Sequence, residues 1–171
     1  MELYFLRHGL AGDSSQWEGD DFERPLTEEG EARMRNEAKI IAKLGLKPDY
    51  ILNSPLKRAL QTAQIVSDCL AAEGLIRKSA LAEDKRLSPG FGMPELEVIL
   101  RIRSNAQAIM LVGHEPDFSK VIGQLIGSGR VVCKKGSLAR VDLFDAPSPA
   151  GELVWLIPPK LLDGMSWGRA Q

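Results

Sequence analysis

The stretch "LYFLRHGLAG", residues 3–12, decides how the chain is read. Its first four residues are large and apolar without polar alternation, the pattern of a short strand covered on both faces of a sheet. The run then breaks directly into Arg7, His8 and Gly9. In a parallel α/β sheet, the carboxyl ends of buried strands are where loops converge on ligands.

The same grammar recurs twice. "DYILNSPLKR", residues 49–58, reads as a turn and a short buried strand over Tyr50 to Leu52. Ser54-Pro55 then offers an N-cap and a first-turn proline to a helix striped by Leu56, Leu60, Ala63, Val66 and Leu70. "AIMLV", residues 108–112, is a third apolar run, closed by Gly113-His114-Glu115-Pro116 and followed by the helical face Phe118, Val121, Ile122, Leu125, Ile126. Between the first two runs, Thr27 is a candidate N-cap with Glu28 and Glu29 in the first turn. Met34, Ala38, Ile41 and Leu44 continue that helix to about Gly45.

A weak strand is expected around residues 76–81, then a loop "LSPGFGMP" and a helix on Leu96, Ile99 and Leu100. Strands over residues 139–144 and 153–157 flank the turn-rich "DAPSPAG" as a hairpin. The order predicts one α/β domain over residues 1–171, with helices on both faces of a mostly parallel sheet. The tail 158–171, which holds Trp167, has no periodicity that would settle its order.

Composition narrows the function. Lys+Arg, 22, nearly balances Asp+Glu, 23, so no global field favours nucleic acid or an anionic membrane, and any anion recognition is local. Cys69 and Cys133 stand far apart and outside CxxC spacing, which points to two buried free thiols rather than a disulfide or a metal knuckle. "MELYFLRHG" has no basic region before its short apolar run, and no other run approaches membrane-spanning length; a cytoplasmic location is the expectation.

Both histidines of the chain, His8 and His114, fall at strand carboxyl ends. Arg58 falls on the first turn of its helix, where free backbone N–H groups already favour a phosphate, and its guanidinium adds a bidentate clamp. Arg7 is a second clamp. Two guanidiniums around one point repel unless a multiply charged anion sits between them, which fits a phosphoryl group better than a carboxylate. Nearby positive charge keeps His8 neutral, so His8 is the expected nucleophile, and Gly9 lets backbone approach the phosphate. His114 is assigned to phosphate binding and transition-state stabilisation, with a share in proton transfer left open. A lone strand-end histidine is commonly structural and a lone arginine commonly solvated; four such residues at three strand ends argue against both. Zinc is not expected, because Cys and carboxylate ligands at suitable spacing do not accompany the histidines.

"FLRHGLA", "RPLTEEGEARM", "ILNSPLKRALQTAQIV" and "LVGHEPDFSKVIGQLIG" together resemble the histidine phosphatase superfamily, phosphoglycerate-mutase-like, and its short SixA-type phosphohistidine phosphatases. The likeness runs from the first strand to about residue 145. It implies a three-layer α/β/α sandwich, a phosphatase that uses no cofactor or metal, Arg7 and His8 as the RHG arginine and nucleophile, and Arg58 and His114 as the second arginine and second histidine. It also implies a departure: many ester-cleaving members carry a helical lid and a glutamate acid, whereas here the compact "RLSPGFGMPEL" puts Ser88 and Pro89 where that acid would be sought, and Glu95 comes too late. No large lid is therefore expected. Asp13, Asp20, Asp21 and Glu115 remain alternative proton donors. The expected partner is a phosphohistidine-bearing protein; a small phosphate ester is the alternative substrate, and a non-catalytic phosphoprotein-binding module the competing class.

Overall fold

The computed structural model describes residues 1–145 and 148–164. Six strands form one mixed sheet: β1 (Glu2–Arg7), β2 (Tyr50–Asn53), β3 (Leu81–Glu83), β4 (Ala108–Gly113), β5 (Leu138–Leu143) and β6 (Gly151–Ile157). The helices are α1 (Glu28–Lys43), α2 (Lys57–Ala72), α3 (Met93–Ile102), α4 (Asp117–Leu125) and α5 (Pro159–Gly164). The sheet order is β3-β2-β4-β1-β5-β6, parallel from β3 to β1 and antiparallel through β5 and β6.

Period-two alternation in the apolar runs explains the three layers. Leu3, Phe5, Ile109 and Leu111 point to one face, where Leu96 and Ile99 of α3 and Phe118, Val121, Ile122 and Leu125 of α4 cover them. Tyr4, Leu6, Met110 and Val112 point to the other, against Met34, Ala38 and Ile41 of α1 and Ala63, Val66 and Leu70 of α2. The two clusters sandwich the sheet, as the uninterrupted apolar composition of its central strands requires. Phe118 meets the Phe5 ring edge-on at 5.3 Å, and a Cβ on Gly113 would lie 2.7 Å from Phe118. Contact that close presses α4 onto the end of β4, immediately beside His114.

The α/β/α sandwich and the hairpin follow the sequence expectation; two local features differ, and part of the tail that the sequence left open takes a definite form. The third strand lies at Leu81–Glu83, because residues 78–80 close a short turn through Ala80 N to Arg77 O at 2.9 Å. Helix α2 begins at Lys57 with Leu56 in the cap position and no side-chain cap bond, so Ser54 is not its N-cap. Ser54 Oγ lies 3.4 Å from Leu56 N and 2.8 Å from His114, whose ring takes it instead. Within the tail, residues 159–164 form α5, whose Leu162 is buried in the core on the α1 and α2 side; Trp167 lies outside the described residues. Among the described residues no helix is long and apolar enough to cross a membrane.

Candidate functional site

Strand register brings the three motif ends level. Arg7 pairs with Gly113, and Asn53 pairs with Val112, so the residues that follow β1, β2 and β4 emerge on one edge of the sheet. They open onto a cleft of about 710 Å³ lined by Arg7, His8, Arg24, Arg58, His114 and Lys135 among others.

His8 and His114 are 5% and 4% exposed, and their ring centroids stand 5.2 Å apart at 54°. The Nδ1 of His8 lies 2.8 Å from Gly9 O. A carbonyl oxygen only accepts, so Nδ1 carries the proton and donates it there, which leaves the lone pair of a neutral ring on Nε2. Burial first, then repulsion from His114, Arg58 and Arg7, pushes the His8 pKa down to about 2. Burial and Arg58 likewise push His114 down to about 4. The His114 Nε2 is 2.8 Å from Ser54 Oγ, while its buried Nδ1 has no hydrogen-bond partner among the described residues.

The guanidiniums are tied from behind. Arg7 Nη1 donates to Cys133 O at 2.8 Å, and Arg58 donates through Nη1 to Asp21 O at 2.7 Å and through Nη2 to Asp21 Oδ2 at 2.9 Å. On both, the buried Nε has no partner among the described residues. Two guanidinium N–H groups and an imidazole nitrogen are thus buried without partners among the described residues, on side chains that line one cleft, and their chemistry suits an oxyanion.

The cleft thus joins Arg7, His8, Arg58 and His114. Gly9 is placed differently from the expectation: its amide donates to Thr62 Oγ1 at 3.1 Å and its carbonyl holds His8, so it orients the imidazole rather than offering a free N–H to phosphate. A Cβ at Gly9 would meet Leu26 at 3.4 Å, an ordinary contact. The close approach belongs to Gly30, where a Cβ would fall 1.9 Å from Leu10 O.

The carboxylates separate by place. Asp20 caps the turn at residues 21–23 and Glu95 accepts from Gly92 N at 3.0 Å at the start of α3, so both have local structural partners. Asp13 lines the cleft on its exposed side and binds Ser15 N. Glu115 also lines it, with Oε1 buried and without a partner among the described residues. Pro89 lines the cleft, whereas Ser88 closes a turn with Phe91.

Three further residues at the site, Thr62, Arg24 and Lys135, escape the sequence reading, and two more, Ser54 and Asp21, are read there as a helix cap and a proton donor. Ser54 anchors His114, and Thr62 bridges Gly9 N to Arg58 O, the latter at 2.7 Å. Asp21 joins Arg58 to Arg24, whose Nε donates to its Oδ1 at 2.7 Å, and that bond from Arg24 is the first cause holding the Asp21 carboxyl below its usual range. Arg24, 8% exposed, and Lys135 add cations to the cleft. Only Thr62 carried a usable signal, since the i, i+4 spacing from Arg58 places both on one helix face. Among the described residues no three His, Cys, Asp or Glu side chains cluster in a way that would hold a metal ion.

Comparison with known proteins bears on the family and the fold. The family model "Histidine phosphatase superfamily (branch 1)" matches residues 3–85, which include Arg7, His8 and Arg58. A relative from Picosynechococcus sp. (strain ATCC 27264 / PCC 7002 / PR-6), itself uncharacterized, is 41% identical over 122 residues, 70% of each chain. The fold superposes on the protein histidine phosphatase SixA, solved with tungstate, with a TM-score of 0.81 at 24% identity, over 95% of this chain and 99% of that one. It also superposes on alpha-ribazole phosphatase from Shigella flexneri, TM-score 0.69 at 18% identity, over 93% and 97% of the chains. A mycobacterial glucosyl-3-phosphoglycerate phosphatase gives 0.69 at 16% identity, over 90% and 98%. These identities speak for the fold alone.

Proposed function

From the premise that this chain belongs to the histidine phosphatase superfamily and is a phosphatase, we propose that it hydrolyses phosphohistidine on another protein through a covalent intermediate on His8. The observation that carries the reading is the neutral His8 ring: its Nδ1–H is fixed on Gly9 O, and Nε2 is left as a nucleophile beside buried donors of Arg7, Arg58 and His114.

In the first step the Nε2 lone pair attacks phosphorus in line, the substrate P–N bond breaks, and its electron pair returns to the leaving imidazole. If that imidazole carries a proton on its other nitrogen, it departs neutral and needs no strong acid. Arg7, Arg58 and His114 hold the equatorial oxygens and stabilise their charge. In the second step water attacks the phosphoryl group on His8, the new P–N bond breaks, and His8 leaves neutral because its Nδ1–H is still held by Gly9 O. Histidine and inorganic phosphate are the products.

Two features support a phosphoramidate over an ester. The 85–95 segment carries Ser88 and Pro89 in the place where family resemblance would put an acid, and Glu95 is engaged in capping α3. One feature favours the second reading, a small phosphate ester: Glu115 presents a carboxyl to the cleft and, if protonated, would serve an alcohol leaving group. A panel of phosphohistidine proteins and phosphate esters decides between them. Phosphohistidine turnover well above every ester is the expected result; equal or faster ester turnover overturns the preference.

A further inference from the structure

Beside the catalytic cleft lies a second pocket of about 350 Å³, and the two share Arg7, Leu10 and Lys135. Lys134 and, from α1, Arg33 complete its cationic lining. The segment bearing the lysines is strapped to the catalytic strand end. Arg7 N donates to Ser137 O at 3.1 Å, Arg7 Nη1 to Cys133 O at 2.8 Å, and Gly136 N to His8 O at 3.1 Å. Ser137 N closes the turn on Lys134 O at 2.8 Å. Gly136 sits at φ +82°, in the left-handed region, and a Cβ there would fall 2.8 Å from the Glu37 carboxylate oxygens. The two lysines are therefore held at a fixed place relative to His8.

Lys134 is exposed and Lys135 half-buried. Among the described residues neither lysine makes an ion pair, and Lys135 Nζ approaches the carbonyl of Ala11 at 3.4 Å. Arg33 is paired with Glu29 at 2.5 Å, and Glu37, which also lines the pocket, is 2% exposed, so the open side belongs to Lys134 and Lys135. In a chain of net charge -1, cations gathered on a rigid turn next to Arg7 repel one another, a cost that an anion removes.

We propose that this pocket is a subsite for a second anionic group carried by the substrate, bound by Lys134 and Lys135 while the phosphoryl group lies at His8. The proposal rests on the phosphatase reading above. The anion is a carboxylate or phosphate: an acidic side chain flanking the phosphohistidine of a protein, or the second phosphate of a small molecule.

The test compares two substrate pairs: a phosphohistidine peptide with neutral or with aspartate flanks, and a sugar monophosphate with its bisphosphate. Wild type and the Lys134→Ala/Lys135→Ala variant are assayed at several ionic strengths, with Lys134→Gln as a second variant on the more exposed lysine. In the pair that is turned over, wild type favours the doubly anionic substrate by about fivefold in kcat/KM, through KM, and added salt shrinks the preference. The ratio falls towards one in the double variant. The pair that shows the preference identifies the source of the anion. Hydrolysis of esters with none of either peptide overturns the phosphohistidine reading, and the ester pair alone then judges the subsite. A wild-type ratio near one, or a ratio that survives loss of both lysines, overturns the subsite.

Discussion

Arg58 is held end-on by Asp21: its two terminal nitrogens reach the backbone carbonyl and one carboxylate oxygen of the same residue, at 2.7 and 2.9 Å. The buried Nε of the same guanidinium has no partner among the described residues, and Arg58 lines the cleft. Asp21 thereby fixes the orientation of the Arg58 guanidinium, which the proposed mechanism needs for its phosphoryl clamp, and it fastens Arg24 by the same carboxylate.

Asp21→Ala is therefore expected to lower kcat/KM by about tenfold or more, since a clamp misplaced by an ångström loses much of its orientation. Asp21→Glu should recover part of the loss. Steady-state kinetics on both variants checks this; unchanged kinetics in Asp21→Ala would remove Asp21 from any role in positioning Arg58.

Ser54 should act through His114, because its hydroxyl is 2.8 Å from His114 Nε2. Ser54→Ala leaves a buried ring nitrogen without its partner and frees the imidazole to turn. We expect about a tenfold fall in kcat with little change in KM, read from initial rates.

The two glycines near the site should separate stability from function. Gly30→Ala drives a Cβ against the Leu10 backbone carbonyl and should cost about 3 kcal/mol in unfolding free energy. Gly9→Ala meets only an ordinary 3.4 Å contact with a leucine side chain and should melt close to wild type. Thermal or denaturant unfolding of the two variants side by side tests the contrast.

Acid should weaken the fold in a window set by the histidines. In the unfolded chain each imidazole titrates near its ordinary value of about 6.5. In the folded chain His114 stays neutral down to about 4 and His8 to about 2. Between those limits the unfolded state binds more protons, so the stability contributed by each neutral ring is full above about 6.5 and is lost as pH falls, at about 1.4 kcal/mol per pH unit per ring. His8→Asn should flatten the slope of unfolding free energy between pH 6 and 4. An unchanged slope would mean that His8 is protonated as readily folded as unfolded.

Much of this was legible in the chain. The apolar runs that end at Arg7, Asn53 and Gly113 locate the parallel strands, and the charged residues that follow them locate the cleft, because burial and chemistry change over within one or two residues. What could not be read depends on long-range proximity. Asp21 meets Arg58 across 37 positions and Ser54 meets His114 across 60, with no periodicity to announce either. Ser54-Pro55 misled for the same reason: its local pattern is that of a helix cap, and a distant imidazole took the hydroxyl instead. The third strand starts later than expected because the polar segment 77–80 closes a turn before the strand begins at Leu81.

In the proposed mechanism phosphoryl groups pass through His8 Nε2. The most direct measurement mixes the enzyme with a labelled phosphoryl donor, quenches within the first turnover and maps the label by peptide mass. The prediction is an acid-labile phosphoryl group on His8 that decays as phosphate appears, and none in His8→Ala. Label retained by His8→Ala with normal turnover would contradict it.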